Sequence, residues 1–210
     1  SIAARAMGLN NRHMSIVGQQ ISVTLPDGTV ETLDPKYLAL ALAGAQGGTE
    51  IGTPLTGKYM NVLNAFSKST WTADRDATTA LQNGVTILVS GRLGKKVERS
   101  ITTYLTDDNP IFSEMSANES LNTCIRDLRN FLETLIGTKN IAGTAKTVKN
   151  MTRARLITQR DDGIIKAFDE DTLSVTDLGD TLRVNVAVAV VEPINFIEIN
   201  AEIRRFNVTA

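Results

Sequence analysis

The sequence has 210 residues, 42% hydrophobic and 21% charged, enough for one large domain or two small ones around a sizeable core. Its 22 Lys and Arg against 23 Asp and Glu leave a net charge of -1, which excludes a generally basic nucleic-acid coat and an acidic disordered chain. One cysteine, Cys124, and one histidine, His13, exclude a disulfide framework within the chain, a cysteine-based zinc site and most histidine-dependent catalysis. No enzyme, catalytic residue, metal or cofactor is expected. Aromatic residues make up 5%, too few for a surface built on stacking against bases or sugars. No apolar run approaches the ~20 residues that span a bilayer, so no membrane partner is expected. The opening Ser1-Ile2-Ala3-Ala4-Arg5 has neither Met nor a signal-peptide pattern and reads as mid-chain.

The first half alternates strand and helix signals. Met14 to Val17 is a short apolar run, and Ile21, Val23 and Leu25 alternate with polar residues before a Pro26-Asp27-Gly28 turn leading to Val30 and Leu33. Asp34-Pro35 starts a helix rich in Ala and Leu over Tyr37 to Ala45, ended by Gly47-Gly48. Thr53-Pro54-Leu55-Thr56 opens a further element, with Tyr59, Met60, Leu63 and Phe66 at helical spacing. A helix over about Arg75 to Gln82 closes at Asn83-Gly84. Val85 to Val89 then reads as a buried strand, and Val97 to Leu105 as its return. No phosphate loop or dinucleotide fingerprint accompanies this α/β pattern.

Asp107-Asp108-Asn109-Pro110 is polar and helix-breaking, and marks a boundary between residues 1-106 and 107-210. Beyond it, Ser116 and Glu119 have the spacing of a capping box. Leu121, Ile125, Leu128, Leu132 and Leu135 follow as one stripe of a helix ended by Gly137, which predicts that Leu128 and Leu132 are buried against a sheet. Cys124, beside that stripe, reads as a small core residue. From Lys139 to Arg160 every charged residue is basic, and Lys146, Lys149, Arg153 and Arg160 fall within roughly 60° of one another on a helix. Such a stripe is either a solvated helix face, partly neutralised by Asp161-Asp162 and Asp169-Glu170-Asp171, or a docking face for an acidic partner. Leu182, Val184, Val186, Val188 and Val190 alternate as a strand. After Glu192-Pro193, Phe196, Ile197, Glu198, Ile199, Asn200, Ala201, Glu202, Ile203, Arg204 and Phe206 form a second alternating segment. Its apolar face and charged face suit pairing with its own sheet or with a neighbouring molecule.

The order of these segments resembles the C-terminal portion of contractile tail sheath proteins of phages and phage-like injection systems. The resemblance rests on the helix residues Ala39-Leu-Ala-Leu-Ala-Gly44 before Gly52-Thr-Pro-Leu-Thr56, on Gly84-Val-Thr-Ile-Leu-Val89 followed by Val97 to Thr103 with its double threonine, and on Cys124 to Gly137. Leu182 to Val191, Glu192-Pro193 and Ile197 to Ile203 complete it, over roughly residues 36 to 206. Each motif consists of common residues, and their order carries the likeness.

That resemblance implies an α/β to α+β fold: residues 1-106 would be the closing portion of a subtilisin-like middle domain, and 107-210 a tube-facing, strand-exchanging domain. The large N-terminal part of the family is absent from this sequence. The implied function is that of a structural subunit polymerising around a tail tube and contracting to drive it through a cell envelope. Implied partners are other copies in stacked rings, the tube protein, and baseplate and tail-terminator proteins, in a virion tail assembled in the host cytoplasm. Lys146, Lys149 and Arg153 would then face the tube. Three other readings compete: a hydrolase, for which no serine elbow accompanies His13; a virion protein binding an acidic partner or nucleic acid through Lys139 to Arg160; and another tail component.

Overall fold

The computed structural model describes residues 2–66, 73–107 and 109–195. Helix α1 (Ile2–Leu9) comes first, with no periodicity to announce it; its small buried Ala6 lets it lie close against Ala80, Val85 and Ile87. Strands β1 (Ile16–Val17), β2 (Gln20–Thr24) and β3 (Val30–Leu33) lead into helix α2 (Pro35–Gly47). Strands β4 (Tyr59–Met60) and β5 (Asn64–Phe66), helix α3 (Ala73–Gln82), and strands β6 (Val85–Gly91) and β7 (Gly94–Arg99) follow. The second half holds helices α4 (Pro110–Ser113), α5 (Met115–Glu133) and α6 (Thr144–Asp161), then strands β8 (Ile165–Asp177) and β9 (Leu182–Val190).

Three sheets result, in the orders β1-β6-β7-β4, β3-β2-β5 and β8-β9. The β2–β3 hairpin turns where expected: Asp27 accepts from the Thr29 amide at 2.9 Å, and Gly28 takes a φ of 84° that a side chain would resist. Leu38 and Leu42 of α2 bury between the first two sheets with Ile21, Leu55, Leu88 and Val97. The β1–β6 pairing is parallel, and beside it Gln19 acts as a surrogate strand residue. Its amide donates to the Leu88 carbonyl at 2.9 Å and accepts from the Leu88 amide at 2.6 Å, where the β6–β7 register shifts.

Two expectations for the first half are corrected. Tyr59, Met60, Leu63 and Phe66 belong to no helix; they lie in and beside β4 and β5, which pair with β7 and β2. Strands this short cannot display an alternation, so their apolar residues fell by coincidence at helical spacing. The strand expected over 97–105 ends at Arg99, apart from a single bridge at Ile101. Beyond it, threonine hydroxyls take over from the ladder. Thr86 Oγ1 donates to the Ile101 carbonyl, and buried Thr103 exchanges hydrogen bonds with both backbone groups of Asn11 at 3.0 Å.

The second half also starts differently from expectation. Asn109-Pro110 opens α4 rather than merely breaking structure: Asn109 Oδ1 accepts from the Ile111 amide at 3.0 Å, with proline at the first helical position. Helix α5 therefore begins at Met115, and Ser116 and Glu119 form no capping box. Ser116 is buried inside the helix, and Glu119 instead accepts from Gln46 at 2.7 Å, tying α5 to α2. The face of α5 that buries is the one with small residues, Ala117, Ser120 and Cys124, because these allow close approach. Leu128 and Leu132, expected to be buried, are only half-buried, and Ile125 is exposed. The core here comprises Cys124, Leu156 and Ile165, with Leu128, Phe168, Val186 and Val188 packed around it.

Candidate functional site

Helix α6 presents one charged face and one buried face. Val148, Thr152, Leu156 and Gln159 bury at helical spacing, so Lys146, Lys149, Arg153 and Arg160 are forced outward, all exposed. The basic stripe is real, but not uniformly free. Arg153 donates Nε to Glu170 Oε2 at 3.0 Å and Nη2 to Oε1 at 2.9 Å, a bidentate pair with β8. The Arg153 guanidinium accordingly holds the Glu170 carboxyl below the usual carboxylate range, with Arg160 and Lys149 adding to the effect. Arg160 pairs with Asp161. Lys146 and Lys149 make no ion pair among the described residues.

Arg155 lies off this stripe and faces α5. It makes a bidentate pair with Asp127, which also accepts from Gln159, and the Arg155 hydrogen bonds hold Asp127 below the ordinary range despite partial burial. Next to it, burial and the Asp127 charge push the Cys124 thiol up to about 11, so it is a packing residue and no nucleophile.

Strands β8 and β9 form a long antiparallel ribbon, paired from Ile165–Val190 to Asp177–Leu182. Neither strand has a second ladder partner among the described residues. Its outer edges are thus rows of backbone donors and acceptors with no strand beside them. Along β9, α5 and α6 leave an open groove of about 890 Å³. Leu128, Leu132, Leu135, Val148, Leu182 and Val184 supply its apolar lining. The exposed part of the α5 stripe therefore faces a groove, not a completed core.

The basic residues Lys146, Lys149 and Arg153 thus share one exposed face. The segment Phe196 to Phe206 lies outside the described residues. Sequence reasoning missed β8, whose acidic run supplies Glu170 to Arg153; the available signal was the apolar Ile165, Phe168, Leu173 and Val175 flanking that run. Among the described residues no three His, Cys, Asp or Glu side chains group to hold a metal, and no helix is long and apolar enough to cross a membrane.

No family model matches the chain. It is 23% identical over 202 residues to the tail sheath protein of Staphylococcus phage Twort, covering 94% of this chain and 34% of that protein. The chain spans about a third of the length of the curated relatives it matches. The sheath tail protein of Desulfitobacterium hafniense superposes with a TM-score of 0.72 at 21% identity, covering 90% of this chain and 44% of that one. The contracted helical sheath of the anti-feeding prophage gives 0.67 at 17% identity, covering 90% and 55%. These relatives carry the name of a structural part, in agreement with the reading of a non-enzyme. Sequence and fold converge on one likeness, to the sheath proteins of phage tails and contractile injection systems.

Proposed function

We propose that this chain is the subunit-linking and tube-facing part of a tail sheath protein, which polymerises around a tube in a virion tail and contracts to drive it through a cell envelope. The observation that carries the reading is the β8–β9 ribbon: two strands with no further ladder partner among the described residues, flanked by an apolar groove. Such a ribbon takes up strands from neighbours. Main-chain hydrogen bonds then keep subunits connected while the rest of each subunit repacks. The segment from Phe196 to Phe206 has the composition of the donated strand: Ile197, Ile199, Ala201 and Ile203 for the groove, Glu198, Glu202 and Arg204 for solvent and register.

Residues 1-106 are the closing portion of a middle domain of subtilisin-like architecture, and 107-210 the domain that faces the tube. Lys146 and Lys149, with Arg153 beside them, meet acidic groups on the tube through contacts that can be released. Copies of the same protein, the tube protein, the baseplate and a terminator are its partners, and assembly takes place in the host cytoplasm. The likeness to a contracted sheath and to a baseplate structure supports self-association and the baseplate contact.

The test is negative-stain microscopy and sedimentation of the full-length protein. Wild type should form cylinders, and deletion of residues 196 to 210 should abolish them while circular dichroism stays unchanged. Ile199→Pro should weaken them by removing a ladder donor. Cylinders of ordinary length from the deletion variant would place the linkage elsewhere.

A further inference from the structure

We infer that the notch between the segment before β1 and helix α5 is a receptor for one carboxylate, that of an acidic side chain on another protein molecule, held by Arg12, Asn122 and Arg126 around His13. The notch measures about 270 Å³, smaller than the ~300–1,000 Å³ of a pocket for a drug-sized ligand. Arg12 and His13 line one wall, and Asn118, Glu119, Asn122 and Arg126 of α5 the other. It shares no lining residue with the groove beside β9.

The cluster is short of acceptors. Buried Asn118 sets the order: its Nδ2 donates to the Arg12 carbonyl, so its Oδ1 faces Asn122, whose Nδ2 stands 3.3 Å away. The same Asn122 Nδ2 stands 3.3 Å from His13 Nδ1, and Arg12 Nε donates to His13 Nε2 at 3.2 Å. Both ring nitrogens therefore face donors. A neutral imidazole carries one N–H, so in either tautomer one donor meets another, and an imidazolium would make it two. Turning the Asn122 amide over would satisfy the ring only by setting its oxygen against Asn118 Oδ1. One N–H of this cluster thus has no acceptor within it.

Charge points the same way. Arg12 packs its guanidinium over the Phe112 ring, 4.9 Å from the centroid. Arg126, on the opposite wall, is exposed, with Nη2 3.3 Å from Thr123 Oγ1. Glu119, the acid that lines the notch, is bonded through Oε2 to Gln46 of α2. Two guanidiniums against one carboxylate leave a single positive charge, which one further carboxylate balances and a phosphate dianion overshoots. A carboxylate oxygen is also the acceptor that the Arg12–His13–Asn122 chain lacks. By taking up the Arg12 or the Asn122 N–H, it lets the ring nitrogen facing that donor keep its own proton.

His13 is the one histidine of the sequence, so its ring signals in the proton NMR spectrum of the untagged 210-residue chain report on this notch alone. Titration with N-acetyl-aspartate N-methylamide at constant pH and ionic strength, sodium chloride making up the balance, should shift those signals saturably. Half-saturation should fall in the millimolar range expected of so few atoms. The neutral asparagine analogue should give no saturable shift. Arg126→Gln should raise the half-saturation concentration about tenfold, the loss of one charge-assisted hydrogen bond. It should leave the thermal midpoint unmoved, because that side chain is exposed. Absence of saturation, an equal response to the asparagine analogue, or wild-type binding by Arg126→Gln would each overturn the site. Saturation by inorganic phosphate but not by the aspartate analogue would overturn its assignment to a carboxylate.

Discussion

Arg153 and Glu170 bind each other through two parallel hydrogen bonds across the α6–β8 contact, although both side chains are about half exposed. Of the three basic residues expected to face a tube, one therefore already has an acidic partner within its own subunit. Lys146 and Lys149 are the cations available to another molecule.

The double variant Lys146→Glu/Lys149→Glu spares that internal pair and should leave the fold unchanged by circular dichroism. It should lose assembly around tubes, because like-charge juxtaposition at an interface costs several kcal/mol. Co-sedimentation with purified tubes at two salt concentrations reads the effect. Normal sheathed tubes from this variant would remove the basic face from the interface.

Leu156 is fully buried, whereas Leu132 lines the open groove. Leu156→Ala should cost about 2–5 kcal/mol in urea unfolding, and Leu132→Ala distinctly less in the isolated subunit. If the groove receives a neighbour's strand, Leu132→Ala should nevertheless impair cylinder formation. Equal losses of stability for the two variants would mean that the groove is closed in solution.

Asp127 carries a pH signature. Its folded-state carboxyl is held below the ordinary 3.8 by Arg155, so the unfolded chain takes up the proton first as pH falls. The stabilisation is complete above the ordinary value and disappears as pH drops through the lower folded one. Wild type should therefore lose more stability than Asp127→Asn as pH is lowered below about 4. Thermal melts at stepped pH test this, and parallel acid limbs would refute it.

Cys124, with its thiol pushed up to about 11, should resist alkylation in the native state. At pH near 8 its thiolate fraction alone makes labelling about two orders of magnitude slower than for a free cysteine, and burial slows it further. Rapid native-state labelling, followed by mass spectrometry, would show that α5 and α6 separate readily.

Legibility in the sequence followed how local the cause was. The alternation from Leu182 to Val190 was readable because one face of β9 packs and the other does not. Helix α2 was readable from Asp34-Pro35, although the Asp34 side chain makes no capping bond. The basic stripe was readable because helical period alone sets it. β8 was not: its buried Ile165 and Leu173 stand far apart, and of the acids between them Glu170 finds its partner, Arg153, on another element. The Leu stripe of α5 was read as core when close packing had selected Ala117, Ser120 and Cys124 instead. Buried Glu114 accepts from both Arg99 and Asn195, residues of two other segments of the chain, and no spacing rule could have announced that meeting.

The two edges of the β8–β9 ribbon are unlike. Asp169 pairs with Ala187 and Ser174 with Asn185, so β8 carries extra residues there, and its Asp169-Glu170-Asp171 run adds charge to the irregularity. Such features discourage a further strand, while β9 offers a regular edge beside an apolar groove. If the strand that β9 accepts is the segment after Asn195 of a neighbouring copy, donor and acceptor are different surfaces of the same chain. Such a contact is head to tail rather than two-fold, and either closes into a ring or continues as a helix. The asymmetry of one hairpin thereby gives a polymer built on it a direction, with its two ends distinguishable from the first pair of subunits onward.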